Sequence, residues 1–135
     1  MVKLIAGLKG AGKTKKIIEL ATKAAEEEHG DVICIERDNA LIYDIPHSIR
    51  LIQTGDYEFN GIDFFRGFLS GLFAGNYDIT HVFVDGLNKI CAVDMHELEV
   101  LLDWLDRFGE RRGAKFTITV SFSEDGLPDG ARKYL

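Results

Sequence analysis

The chain is poor in several kinds of residue, and each shortage excludes a class of protein. Two cysteines among 135 residues are too few for the disulfide framework of a small secreted scaffold. No apolar run approaches the roughly 18 residues that a membrane-spanning helix needs. Positively charged residues are also few, since the chain has 16 Lys and Arg against 22 Asp and Glu, which gives a net charge of −6. This balance argues against a protein that simply coats nucleic acid.

What remains is typical of one globular domain over residues 1–135. Cys34 lies in an apolar segment that predicts a buried thiol, and its distance from Cys91 in the sequence is not that of metal ligands. The first predicted strand begins at residue 2, which leaves no room for a signal peptide. We therefore expect a cytoplasmic protein that does not associate with membranes.

The scarce positive charge is concentrated near the start of the chain. Residues 1–25 contain six lysines and one glutamate, a net charge of +5, so the remainder carries −11. A basic region of this kind suits a polyphosphate ligand. The alternative for Lys15, Lys16 and Lys23 is a solvated helix face.

A glycine-rich loop inside this basic region matches the pattern G-x-x-x-x-G-K-[ST]. Glycines allow successive backbone N–H groups to turn toward phosphate oxygens without a Cβ in the way. The lysine of the pattern reaches the β- and γ-phosphates, and the final hydroxyl ligates magnesium. The predicted nucleotide-binding residues are Gly7, Leu8, Lys9, Gly10, Ala11, Gly12, Lys13 and Thr14, of which Thr14 is also a predicted metal ligand.

The flanking segments supply the elements that such a loop needs. Residues 2–6 predict a buried strand that runs into the loop, and residues 15–28 predict a helix that Gly30 ends in the C′ position. Strand, loop and helix in this order direct a helix N-terminus at an anion. The segment resembles the P-loop NTPase superfamily. The resemblance implies binding of a nucleoside triphosphate with Mg²⁺.

Strand and helix patterns alternate along the rest of the chain. Strands are predicted over 31–36, 48–53, 80–86 and 115–121, and helices over 61–75 and from a capping box at Asp94 and Glu97 up to Gly113. Right-handed crossovers then predict an α/β three-layer sandwich with a mostly parallel sheet of about five strands. Ligands bind beyond the carboxyl ends of such strands, which places the loop and the strand-end acids on one rim.

An acid after an apolar strand is the second part of the phosphate-loop signature, because it holds Mg²⁺ through water. Asp85 and Glu36 both fit, and we favour Asp85 for the metal, with capping of the following turn as its alternative role. Many ATPases that resemble this pattern have a glutamate next, where this chain has Gly86. We therefore expect slow or partner-dependent hydrolysis, with Lys13, Glu36 and Glu124 as the candidate catalytic residues.

Two more residues at the predicted rim have competing interpretations. Ser121 is either a sensor of the γ-phosphate or an ordinary strand-end serine, the interpretation we favour. Arg37 is the best-placed candidate to stabilise charge in a transition state, and a solvated turn residue is the favoured alternative.

The predicted helix over 61–75 has an unusual glycine stripe. Gly67, Gly71 and Gly75 recur every four residues, and each costs about 1 kcal/mol relative to alanine in a helix. We expect the sheet of the same domain to approach the helix backbone closely at these glycines. A second copy of the chain or another protein partner is the alternative.

Three classes of function fit these features. The first is a minimal NTPase, with ATP favoured because Asn88-Lys89 stops short of the guanine-reading pattern Asn-Lys-x-Asp. The second is a small-molecule or nucleoside kinase, whose acceptor site would involve residues 37–60. The third is a non-catalytic module whose binding to a partner depends on nucleotide.

Three further stretches carry a second resemblance. Residues 43–47, 76–85 and 115–121 resemble small ATP-binding proteins of Gram-positive gut bacteria that are sometimes labelled twitching-motility proteins. A pilus-retraction motor resembles a much longer two-domain ATPase, so this resemblance implies nucleotide binding and nothing more.

Overall fold

Five parallel strands form the single sheet of the protein. The computed structural model describes all 135 residues. The strand order is β1-β5-β4-β2-β3, and each neighbouring pair is parallel. This confirms the predicted parallel sheet of about five strands. The strands are β1 (Val2–Ala6), β2 (Asp31–Glu36), β3 (Arg50–Gln53), β4 (Ile79–Val84) and β5 (Lys115–Val120).

Helices cover both faces of the sheet. On one face, α1 packs with residues 41–49 over a small core that includes Ile17 and Phe83. On the other face, α2 and α4 pack over a larger core that includes Phe65 and Leu101. The result is the three-layer α/β sandwich that the alternating pattern predicts. The helices are α1 (Lys13–Glu27), α2 (Gly61–Gly75), α3 (Leu87–Ile90), α4 (Met95–Arg112) and α5 (Asp129–Arg132), with 3₁₀ turns at Thr54–Asp56 and Glu124–Gly126.

The ends of α4 follow the capping signals in the sequence. The Glu97 N–H donates to Asp94 Oδ1 at 2.8 Å, and the Asp94 N–H donates to Glu97 Oε1 at 3.1 Å. These reciprocal bonds confirm the capping box, which satisfies backbone donors of the first turn. At the other end Gly113 adopts a left-handed φ of 68°, a conformation that glycine reaches without strain.

Two predictions about glycines are wrong. Gly30 lies beyond the end of α1 with no left-handed φ, and a Cβ there would overlap the carbonyl oxygen of Asp78. The stripe of Gly67, Gly71 and Gly75 faces open space, because an added Cβ on any of them would meet nothing within 4 Å. The sheet instead packs against the opposite side of α2. Helical spacing identifies a stripe but does not say which side of the helix is buried.

A half-buried polar cluster lies at the amino-terminal edge of the sheet. The Lys115 ammonium is 2.7 Å from Glu28 Oε1, and His81 Nδ1 is 3.3 Å from the same oxygen. His81 Nε2 lies 2.9 Å from Thr117 Oγ1, and its ring stacks on Phe83. Burial, helped by the nearby Lys115 charge, lowers the pKa of His81 to about 4. The cluster joins the end of α1 to β4 and β5.

No helix of the structure combines the length and the apolar character that crossing a membrane requires.

Candidate functional site

The glycine loop connects β1 to α1 in a conformation that requires glycine. Gly10 and Gly12 have left-handed φ angles of 90° and 83°, which other residues adopt only with strain. Gly12 is also the N-cap of α1, where no side chain bonds the free N–H groups and no acid occupies the first turn. The N-terminus of this 15-residue helix therefore offers uncapped donors and a positive dipole end to an anion.

Lys13 folds back over the loop. Its ammonium donates to the carbonyl oxygen of Gly7 at 2.6 Å and to that of Leu8 at 3.1 Å. The ammonium is therefore held against the carbonyl oxygens of the first two residues of the glycine loop.

Asp85 lies opposite the loop and is held by two threonines. Thr14 Oγ1 donates to Asp85 Oδ2 at 3.2 Å, although the two residues are 71 positions apart in the chain. Thr119 Oγ1 donates to Asp85 Oδ1 at 2.9 Å and accepts from the Gly86 N–H at 2.7 Å. Because β5 lies between β1 and β4, a β5 side chain is placed to orient the acid toward the loop. Thr119 is fully buried.

These groups border a cavity of about 720 Å³ at the carboxyl ends of the strands. Its only hydrophobic lining residue is Ala40, so the cavity suits a highly polar ligand. Of the predicted loop residues, Gly7, Leu8 and Ala11 do not line it. The charged lining residues are Lys9, Lys13, Lys15, Arg37 and Lys89, against Glu36, Asp38 and Asp85.

Glu36 reaches this cavity but is engaged in bonds to the backbone. Its carboxylate accepts from the Ala40 N–H at 2.9 Å and from the Leu41 N–H at 3.2 Å. Burial raises the pKa of the Glu36 carboxyl, and the two N–H groups oppose that rise. The residue is 3 % exposed. This geometry suits an anchor for the 37–41 turn better than a group that must bind and orient a water.

The remaining candidates divide between the cavity and the surface. Ser121 lines the cavity, and its N–H donates to Asn88 Oδ1 at 2.8 Å. Arg37 also lines the cavity. Glu124 begins the second 3₁₀ turn, is exposed, and is not among the lining residues. The structure therefore brings Lys13, Thr14, Glu36 and Asp85 together and leaves Glu124 outside.

Sequence reasoning missed three residues of the site. Thr119 holds the Asp85 carboxylate, and Asn88 accepts the Ser121 N–H. Lys89 adds a cation to the cavity. One signal was present for Thr119, because it is a polar residue close to the carboxyl end of β5, where ligands of a parallel sheet bind. In the observed register Val84 pairs with Ile118, so Thr119 follows one position later, level with Asp85. Asn88 had no comparable signal.

Comparison with known proteins assigns no family to this geometry. The chain matches no model of a protein family, and a search of curated proteins gives no significant match.

Proposed function

We propose that the protein binds a nucleoside triphosphate, ATP by preference, together with Mg²⁺, and hydrolyses it slowly or with the help of a partner. The observation that carries the proposal is the 3.2 Å bond between Thr14 and Asp85. It joins the last residue of the glycine loop to the acid that follows β4. The P-loop resemblance expects the glycine loop and the acid after an apolar strand to act together, and in the fold these two parts are in contact.

The electrostatics of the cavity support a polyphosphate ligand. Five cationic side chains face three carboxylates around the cavity, and the uncapped start of α1 adds the dipole of a helix N-terminus. A triphosphate along the loop would replace the Lys13 contacts to Gly7 and Leu8 with charge-assisted bonds, which are roughly twice as strong as neutral ones.

The hydroxyl and carboxylate pair fits Mg²⁺. This ion takes oxygen ligands, keeps several waters, and is bound through one or two protein groups plus substrate phosphates. Thr14 Oγ1 and Asp85 Oδ2 would be the protein oxygens, the second acting through water. The structure contains no cluster of three or more His, Cys, Asp or Glu side chains able to hold a metal. Bound Mg²⁺ would supply electrostatic stabilisation of the phosphate oxygens.

The same geometry supports slow turnover. The residue after Asp85 is Gly86, and the Glu36 carboxylate is occupied by backbone N–H groups. Asp38 is the other carboxylate of the cavity, and its side chain makes neither an ion pair nor a hydrogen bond. Asp38 is exposed, so no carboxylate of the cavity is both free of hydrogen bonds and fixed in position to orient an attacking water, which supports slow or partner-dependent hydrolysis.

Thermal unfolding with Mg–ATP, Mg–ADP, Mg–GTP and AMP tests the binding proposal. Ligand at 100 times Kd should add about 2.7 kcal/mol to the unfolding free energy, which raises Tm by several degrees in a domain of this size. We expect the largest rise with Mg–ATP and its loss in Lys13→Ala. Lys16→Ala is the matched control, because Lys16 is exposed on α1 and does not line the cavity. Equal shifts in Lys13→Ala and wild type, or no shift at all, would contradict the proposal.

A further inference from the structure

A second cavity adjoins the first at the rim of the sheet. It has a volume of about 230 Å³ and shares Arg37 and Lys89 with the larger cavity. The strand order places Arg37 on the far side of Asp85 from the glycine loop, because Arg37 follows β2 and β2 lies beyond β4. Lys89 lies in α3, and because both cations line both cavities, they stand between the proposed nucleotide site and a separate, smaller space.

The charge of the second cavity is of one sign. Arg37 and Lys89 line it, and no carboxylate does. Neither cation takes part in any of the ion pairs of the structure, and neither side chain donates a hydrogen bond to protein. Two cations that form no ion pair and line one space favour an anion, and a guanidinium matches the two oxygens of a carboxylate or phosphate.

The backbone on both sides of this cavity is held in place. The Gly55 N–H donates to the Arg37 carbonyl oxygen at 2.8 Å. A Cβ at Gly55 would approach that oxygen to 2.7 Å, so the close contact depends on glycine. Lys89 lies in α3, whose first turn bonds to Gly86. The base of each cation is thus fixed, and only its side chain needs to adjust to a ligand.

The rest of the lining limits the ligand to a small molecule. Tyr57 and Phe59 border the space but expose almost no apolar surface to it, and Thr54 is buried beside it. Pockets for drug-sized ligands have volumes of about 300–1,000 Å³, which is larger than this cavity. A compact, highly polar anion suits the space better than a second nucleotide.

From these observations we infer that the second cavity binds a small carboxylate- or phosphate-bearing molecule beside the nucleotide, with the anionic group between Arg37 and Lys89. The inference rests on the proposed function for the identity of the neighbouring ligand. It adds a second ligand class to that function, since Arg37 and Lys89 line both cavities.

The test uses the full chain saturated with Mg–AMP-PNP, so that the glycine loop is occupied. Inorganic phosphate and malonate are titrated separately at constant ionic strength, with chloride as the reference anion, and Tm is followed. We expect a saturable rise in Tm with at least one of the two anions. In Arg37→Ala/Lys89→Ala the apparent Kd should rise at least tenfold. The charge-matched control Arg50→Ala/Lys16→Ala, with both sites exposed and outside the two cavities, should behave as wild type.

The outcomes separate this inference from the proposed function. If Mg–AMP-PNP binds and neither anion gives a saturable shift beyond chloride, the inference is overturned. It is also overturned if the two double variants respond alike. If Mg–AMP-PNP fails to bind while malonate still stabilises the protein through Arg37 and Lys89, the proposed function fails and the anion site stands. A response to phosphate but not malonate identifies a phosphate-bearing ligand, a response to malonate but not phosphate identifies a carboxylate, and a response to both supports an anion site that accepts either group.

Discussion

Replacing Thr119 with valine tests the network that orients Asp85. Valine keeps the shape of threonine but removes the hydroxyl that donates to Asp85 Oδ1 and accepts from the Gly86 N–H. Loss of a hydrogen bond to a charged group costs about 1.5–3 kcal/mol, and an unsatisfied N–H costs about 1–3 kcal/mol. Burial of one more apolar carbon returns about 0.8 kcal/mol. The expected net loss of unfolding free energy is about 3 kcal/mol.

Urea unfolding followed by circular dichroism measures this loss. For a domain of this size about 3 kcal/mol also corresponds to a fall in Tm of about 10 °C. Thr80→Val is the matched control, because the buried hydroxyl oxygen of Thr80 has no hydrogen-bond partner. Removing it should leave the stability unchanged or raise it by about 1 kcal/mol.

Two results would refute the reasoning. Thr119→Val and Thr80→Val with equal stability would show that the Thr119 hydroxyl contributes nothing net. Additive effects of Thr119→Val and Asp85→Asn would show that the two side chains are not coupled, because residues that share a hydrogen bond should not be additive.

Three further predictions concern other parts of the fold. Burial lowers the pKa of His81 to about 4, so between about pH 6.5 and 4 the unfolded state binds a proton that the folded state does not. The unfolding free energy should therefore fall by up to about 3 kcal/mol as the pH drops through this range. In pH-dependent urea unfolding, His81→Gln should remove that part of the slope, and an unchanged slope would contradict it. Gly30→Ala should lower Tm by about 5 °C or more, since a Cβ there overlaps the Asp78 carbonyl oxygen. Gly71→Ala should raise the unfolding free energy by about 0.5–1 kcal/mol, because its Cβ meets open space. A loss in stability or a change in oligomeric state would instead indicate that another surface packs against the glycines of α2.

The sequence predicted the elements of this fold well because their signals are local. β2 and α2 have the predicted bounds, and the capping box marks the start of α4 as expected. The four-residue helix α3 was missed, because it is too short to show a helical period and is fixed by its bonds to Gly86. The position of β5 between β1 and β4 could not be predicted from local patterns either, because the alternation of strands and helices does not determine strand order.

The candidate site was predictable as a motif but not as a network. Lys13, Thr14 and Asp85 follow from spacing and from their place at strand ends. Glu36 satisfies the same strand-end template as Asp85, and only its bonds to Ala40 and Leu41 distinguish the two. Arg37 was expected at the rim from its place after β2, whereas Lys89 had no such signal, and only the tertiary structure brings the two cations to one space.

Because the glycines of α2 are not packed, the local stability of this helix should be lower than that of the sheet. The helix is anchored through Phe65, Leu69 and Phe73 on one side, while its outer side carries residues of the lowest helical propensity after proline. Such an element can open locally while the sheet persists. Phe59, which lines the second cavity, packs its ring against Phe64, Phe65 and Phe68. A molecule held in that cavity would therefore also slow hydrogen exchange along α2, as its binding energy would oppose the local opening of the helix.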